Sequence, residues 1–419
     1  MKIKLVTFAP HPNFGTCLQS YALNKVLRDM GHDVEFIYNG RENPPKNLAF
    51  YIKIKALVKC VLPKQMVRRI KAKRAEERLA KPDVPPYILK LPNNYIMYWF
   101  SLLPGYERVY KLLKCRTLQW KKVDSFTFED GNYRMKRLYI KKQYDEVVKD
   151  ADLFITGSDQ IWNPYCGGFN PMMFLEFAGN KKRVAYSSSI ARPCFPKDVE
   201  QRAKEDLSMF QHIAVREQSS VNMLNKLLGR DDVQLVVDPT YLLSTEEWEM
   251  FGNRAKIEFD LPEKYIFCYF IDKKRLIEYE KMIEDVKSKT GILRVITMNC
   301  TTNDIPVGGD IYYKDGGPYE FVYLLSHASY ICMDSFHATI FALKFKKEFV
   351  HMLKNRDDQE AGSQNTRMYD IFERYGLLYK IYDNHPNEWM KCIDYQRVSN
   401  IMDKEARESF EYLKYEIAN

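Results

Sequence analysis

At 419 residues, 46% hydrophobic and 28% charged, the chain is too long for one ordinary core and too apolar for disorder, so two folded domains are expected. No apolar run approaches the roughly 20 residues of a membrane-spanning helix. The net charge of +9 is uneven: residues 46–122 hold 19 Lys and Arg against four acids, and the rest of the chain is mildly acidic.

The opening Met1-Lys2-Ile3-Lys4-Leu5-Val6-Thr7-Phe8 enters a strand pattern at once, without the apolar region and small-residue cleavage site of a signal peptide. A strand over Ile3–Phe8, a loop to Gly15, a helix over 16–30 stopped by Gly31 and a strand over 33–38 make a βαβ unit. From Pro44 to about Tyr144 this rhythm dissolves into basic helical stretches broken by prolines, which reads as a basic helical insertion at 44–144. It then resumes with strands at 152–156, 183–188, 212–215 and 235–237, and helices near 198–210 and 219–228. A second set has strands at 265–271, 294–297, 330–333 and 349–353, and helices at 274–290, 318–327 and 338–343. The expected division is an N-terminal domain 1–245, a C-terminal domain 262–400 and a terminal helix 401–419. Two parallel-sheet domains would face each other across a cleft lined by strand ends.

Nine scattered cysteines without a C-x-x-C pair read as reduced, mostly buried thiols of a cytosolic protein, and no metal-ligand spacing appears. The basic segment also carries Tyr95-Ile96-Met97-Tyr98-Trp99-Phe100. It reads either as solvated helical faces or as a surface for anionic lipid or a pyrophosphate-bearing substrate. Nucleic acid is not expected, because no recognised binding module accompanies the charge.

Four strand ends offer polar groups: Asn13 and Gly15, the run from Gly157 to Asn163, Arg216 with Glu217, and Ser335 with His337. Asp159 and Gln160 suit sugar hydroxyls and Trp162 a sugar face, although Asp159 equally suits a helix cap and Trp162 a core. Arg216 reads either as a ligand cation or as a structural ion pair, and His337 as a catalyst or a structural histidine. No G-x-G-x-x-G follows the first strand, so a dinucleotide fingerprint is absent.

Asn13-Phe14-Gly15-Thr16-Cys17-Leu18-Gln19-Ser20-Tyr21-Ala22-Leu23 resembles the opening motif of the polysaccharide pyruvyl transferases, and Gly157-Ser158-Asp159-Gln160-Ile161-Trp162-Asn163 resembles their central motif. Val215-Arg216-Glu217, Asp238-Pro239-Thr240, Asp334-Ser335-Phe336-His337 and Asn365-Thr366-Arg367 follow in the family's order. The resemblance implies a glycosyltransferase-B-like pair of Rossmann-like domains. It also implies transfer of pyruvate from phosphoenolpyruvate, a co-substrate, to two sugar hydroxyls as a cyclic ketal, with no cofactor. It makes His337 the acid/base and places Arg216, Ser335, Asn365 and Arg367 at the donor. Asn13, Gly15, Asp159, Gln160, Trp162 and Asn163 fall on the acceptor side.

Some relatives have arginine where this chain has Ser335, so Arg367 or Arg192 is expected to supply the missing cation. The expected acceptor is a surface-polysaccharide precursor carried on a polyprenyl diphosphate. The expected location is the cytoplasm, with 46–122 touching the inner membrane face. The alternatives are a nucleotide-sugar-dependent glycosyltransferase and a non-catalytic carbohydrate-binding protein.

Overall fold

The structure, a computed structural model, describes residues 1–8, 13–39, 94–103, 117–129, 131–166, 168–298, 307–356, 363–382 and 388–418. The first sheet holds β1 (Lys2–Val6), β2 (Asp33–Asn39), β3 (Met135–Leu138), β4 (Leu153–Thr156), β5 (Lys182–Ser188), β6 (His212–Val215) and β7 (Gln234–Leu235). The second holds β8 (Ile266–Tyr269), β9 (Val295–Met298), β10 (Ile311–Tyr313), β11 (Tyr330–Met333) and β12 (Phe349–His351). Every pairing in both sheets is parallel. The fold is therefore the expected α/β pair of Rossmann-like sheets.

Parallel strands covered on both faces need nearly continuous apolar sequence, and β4, β8, β9 and β11 supply it. Lys4 is the exception inside β1. Its ammonium is buried but meets Glu35 at 2.7 Å and Asp150 at 2.8 Å, which satisfies the charge. β3 corrects the sequence reading: residues 135–138, assigned to the helical insertion, extend the sheet beside β2. Their Met-Lys-Arg-Leu is too polar to announce a strand, and an edge position tolerates it. Most of the basic segment 46–122 lies outside the described residues; of it, 94–103 and 117–122 are described.

Strand order decides where a ligand can sit. The first sheet runs β3-β2-β1-β4-β5-β6-β7 and the second β10-β9-β8-β11-β12. In each, the order reverses between two neighbouring strands, β1 and β4 in the first and β8 and β11 in the second. The connections leaving their carboxyl ends therefore diverge and open a crevice. The Phe14–Asp29 helix follows β1, and its first residue reaches the second domain, where the Phe14 ring centroid lies 5.9 Å from Tyr269 and 5.5 Å from Phe321. Trp248 and Phe341 continue this apolar contact, with centroids 4.8 Å apart. The two crevices are thereby held mouth to mouth.

A final helix, Tyr395–Ala418, spans both halves and begins before the expected residue 401. The Tyr395 hydroxyl donates to the Lys347 carbonyl in the second domain. Further along, Ser409 Oγ accepts from Val237 N at 3.0 Å and the Glu416 carbonyl accepts from Lys182, both in the first domain.

Candidate active site

A cavity of about 270 Å³ lies where the two crevices meet. Phe8, Asn13 and Thr16 enter it from beyond β1, and Asp159, Gln160 and Cys166 from beyond β4. The second domain contributes Ile271 after β8, Ser335, Phe336 and His337 after β11, Lys354 after β12, and Arg367 from the Thr366–Tyr375 helix.

Local sequence explains these placements. Gly157 ends β4 with φ +122°, and a Cβ there would fall 1.9 Å from the Tyr186 carbonyl oxygen, so only glycine lets the chain cross β5 so closely. Asp159 follows with φ +69° and aims its carboxylate at Thr16, whose hydroxyl donates to Oδ2 at 2.9 Å. Beyond β11, Asp334 accepts from Ile271 N at 2.8 Å and from Asp272 N and the Tyr279 hydroxyl at 2.9 Å. It ties the ends of β8 and β11 together. Ser335 then caps the Phe336–Lys344 helix, its Oγ accepting from Ala338 N at 3.4 Å. His337 projects from this first turn.

Behind the cavity wall lies a buried cluster of charges. Arg216 donates to Glu217 at 3.0 Å and Asp238 at 2.9 Å, and reaches Asp159 at 3.5 Å. Its guanidinium also covers the Phe336 ring at 4.3 Å. Asp238 Oδ1 accepts from Thr240 N and Thr240 Oγ1 at 3.1 and 2.8 Å, while Oδ2 accepts from Ser158 Oγ at 3.1 Å. His337 Nε2 lies 3.3 Å from the same Oδ2 without the alignment of a hydrogen bond.

Burial alone would raise the pKa of Asp238. The imidazole of His337, the Arg216 guanidinium and the Thr240 N–H outweigh it and hold the carboxyl well below its ordinary range. Asp159 is likewise lowered against burial by His337, Arg216, Arg367 and the Thr16 hydroxyl. Burial and the nearby charge of Arg216 lower the pKa of Arg367, while burial raises that of the Cys166 thiol.

The sequence candidates separate into two sets. Asn13, Asp159, Gln160, Ser335, His337 and Arg367 line the cavity, whereas Gly15, Trp162, Asn163, Arg216 and Asn365 do not. Trp162 is corrected from sugar platform to core: it is 1% exposed, stacks on Phe174 at 5.5 Å and donates Nε1–H to the Met173 carbonyl. Asn163 orients Gln160, donating to its Oε1 at 2.8 Å, and Asn365 donates to the Asn355 carbonyl at 2.8 Å, closing a loop. Arg192 stacks over the Tyr165 ring at 4.2 Å, away from the lining, so Arg367 is the candidate cation that reaches the cavity. Its side chain is 5% exposed overall, with Nε buried and unpaired and Nη2 donating to Gln364 Oε1 at 3.0 Å.

Lys354 and Gln364 escaped the sequence reading. Lys354 stands just past β12, so the strand-end rule applied to the last strand identifies it. Gln364 accepts from Gln160 of the opposite domain at 3.2 Å, a relationship with no local signature. A competing histidine, His351, is fully buried, donor or acceptor to Thr339 Oγ1 at 3.1 Å, and burial pushes its pKa down to about 3, so it is a neutral core group. Among the described cysteines, all free thiols, Cys17, Cys268 and Cys332 are buried, Cys166 is half-buried, and Cys194 and Cys392 are exposed. Among the described residues, no group of three or more His, Cys, Asp or Glu is placed to hold a metal ion.

No curated protein is significantly similar in sequence. Among solved structures, the chain is similar to UDP-GlcNAc 2-epimerase from Neisseria meningitidis bound to UDP-GlcNAc, at 11% identity and TM-score 0.43, over 97% of this chain and 100% of that one. It is similar to Arabidopsis thaliana UGT89C1 complexed with UDP-L-rhamnose at 9% identity and TM-score 0.45, over 98% and 97%. UDP-N-acetylglucosamine 2-epimerase from Rickettsia bellii gives 12% identity and TM-score 0.41, over 99% and 97%. The profile of the polysaccharide pyruvyl transferase family matches residues 13–356, from the first cavity residue of the Phe14–Asp29 helix region to the loop beyond Lys354. The chain belongs to the polysaccharide pyruvyl transferase family.

Proposed function

We propose that the protein transfers pyruvate from phosphoenolpyruvate to two hydroxyls of one sugar in a bacterial surface-glycan precursor, forming a cyclic ketal. The observation that carries this reading is the meeting of His337, Arg367 and Lys354 with Asn13, Asp159 and Gln160 in one cavity between the domains. The first three suit a small anionic donor, and the last three suit sugar hydroxyls.

The chemistry distributes itself over these groups. The first sugar hydroxyl gives its proton to His337 as its oxygen forms a bond to C2 of the donor. The C2=C3 π electrons take a proton at C3 from the same imidazole, so C3 becomes the methyl group. The second hydroxyl then bonds to C2, phosphate leaves with the C2–O electrons, and the second proton departs with it. Arg367 and Lys354 hold the carboxylate and phosphate throughout. Arg216 has the different task of keeping Asp238 and Asp159 ionised and of holding Glu217 in place.

Incubation with phosphoenolpyruvate and candidate glycan acceptors tests the reading, following phosphate release and product mass. One pyruvate ketal per acceptor is expected. Transfer of a sugar from a nucleotide-sugar panel, with no reaction of phosphoenolpyruvate, would replace it with glycosyl transfer; binding of glycan without turnover of either donor would leave a carbohydrate-binding protein.

The basic segment adds a second element. Tyr95, Trp99, Leu102 and Leu103 are 56%, 65%, 56% and 56% exposed, on or just beyond the Tyr95–Ser101 helix. Aromatic and aliphatic side chains beside a strongly basic stretch suit an anionic lipid surface, and a polyprenyl-diphosphate-linked acceptor would be presented there. Among the described residues, no helix is long and apolar enough to cross a membrane.

A further inference from the structure

The two ring nitrogens of His337 have unlike surroundings. Nε2 is closed off from solvent and faces Asp238 Oδ2 at 3.3 Å. Nδ1 lies against the bare Cα of Gly15, in a residue that lines the cavity. Asp238 has little freedom to move. Thr240 holds Oδ1 through N–H and hydroxyl, and Ser158 and Arg216 donate to Oδ2 at 3.1 and 2.9 Å. The preceding residue, Val237, is anchored in turn by its N–H to Ser409. A fixed, ionised carboxylate of the first domain therefore lies 3.3 Å from the inner nitrogen of a histidine of the second.

We propose that Asp238 is the positioning residue of His337, keeping the ring proton on Nε2 and leaving the Nδ1 lone pair for the proton transfers. The reason is electrostatic. A carboxylate is an acceptor only, and a ring with its proton on Nδ1 would set the Nε2 lone pair against Oδ2 in a buried, weakly screened site. With the proton on Nε2, the N–H dipole meets the negative oxygen instead. Of the other charged groups, Asp159 interacts with the ring, Arg367 and Lys354 line the same cavity, and Arg216 is bound to Asp238. Asp238 is the charged group in close contact with one ring nitrogen, Nε2 at 3.3 Å, and so distinguishes it from Nδ1.

During turnover the proton of the attacking hydroxyl passes to Nδ1, giving an imidazolium paired with Asp238. Nδ1–H then delivers that proton to C3 and the ring returns to its starting tautomer. Asp238 remains ionised at every stage.

The turnover sequence rests on pyruvyl transfer as the reaction; the tautomer does not, which makes the two separable. Ring-nitrogen NMR of histidine-labelled protein without substrate, at alkaline pH where rings are neutral, reads it directly, with the His337 signal among the seven histidines identified by its loss in His337→Gln. The expected signature is a protonated Nε2 and an unprotonated Nδ1. A proton resident on Nδ1 in the unsubstituted protein overturns the proposal and needs no variant to do so. In Asp238→Asn, loss of that tautomer preference is expected together with a fall in kcat of roughly 10²–10⁴-fold and a KM for phosphoenolpyruvate within a few-fold. An unaltered tautomer with unaltered kcat also overturns it. Absence of pyruvyl transfer in every preparation would remove the reaction while leaving the tautomer result standing.

Discussion

Gly15 of the first domain and His337 of the second meet backbone to ring: a Cβ at position 15 would fall 2.3 Å from Nδ1, 2.6 Å from Cγ and 2.9 Å from Cβ of the histidine. The glycine gives up part of the stability of its helix to admit the imidazole. Gly15→Ala should therefore cut turnover by about 10²-fold or more, because the ring must shift by a substantial fraction of an ångström. Helix propensity itself favours alanine by about 1 kcal/mol, so global unfolding should change far less than activity. Phosphate-release kinetics beside thermal unfolding make the comparison, and a fully active Gly15→Ala would contradict the contact.

Removing the imidazole tests its chemical role. His337→Ala should lower kcat by about 10²–10⁴-fold while donor binding, measured by calorimetry with phosphoenolpyruvate, persists. Equal loss of binding and turnover would mark His337 as a ligand contact and not as the acid/base.

The two arginines should fail differently. Arg367→Ala removes a cavity cation and should raise the KM for phosphoenolpyruvate about 10–100-fold with the fold intact. Arg216→Ala leaves Glu217, Asp238 and Asp159 buried beside one another without their shared cation. Its first effect should be a loss of about 3–5 kcal/mol in denaturant unfolding. Similar unfolding midpoints for the two variants would contradict this division.

Asp206 provides a pH test away from the site. Burial raises its pKa to about 6, against the favourable charge of Arg202. The folded state thus binds this proton more tightly than the unfolded chain, whose aspartate titrates near ~3.9. Stability from this group is greatest below about pH 4 and falls as pH rises to about 6, the reverse of a salt-bridged carboxylate. Asp206→Asn should therefore raise the unfolding free energy measured in urea at neutral pH by roughly 1–2 kcal/mol, with the gain vanishing below about pH 4. A variant less stable at neutral pH would show that Arg202 dominates.

For the basic segment, the protein should sediment with vesicles containing anionic lipid, bind neutral vesicles weakly and release in high salt. Trp99→Ser with Leu102→Ser should weaken the salt-resistant part. Indifference to lipid charge would sink the membrane role.

Much of the architecture was legible because parallel strands leave long-range order written in short range. Apolar runs such as Tyr330–Met333 ending in Asp-Ser mark both a strand and its open end. Residues at such ends, from Asn13 to His337, were found for that reason. β3 was missed because an edge strand need not be apolar, and Trp162 stayed open between sugar face and core because its stacking partner, Phe174, is brought to it by the fold and not by local pattern. Arg216 and Arg367 look alike as sequence. Their difference lies in what surrounds them, three carboxylates for one, and the Gln364 amide, the Phe336 ring and the cavity for the other. Such partners are assembled from positions as far apart as 159 and 238, and no local pattern carries them.

The helix Tyr395–Ala418 gives the molecule a mechanical constraint. One end is fastened beside Lys347 in the second domain, and its later turns grip Val237 and Lys182 in the first. Any rocking of one half against the other has this rod as its tie-bar, and the tie-bar is attached one residue from Asp238. Loosening it, by a cut or a proline within the final turns, would slacken the carboxylate that faces His337 without touching the cavity wall. The last stretch of the chain is thus linked mechanically to the carboxylate beside His337.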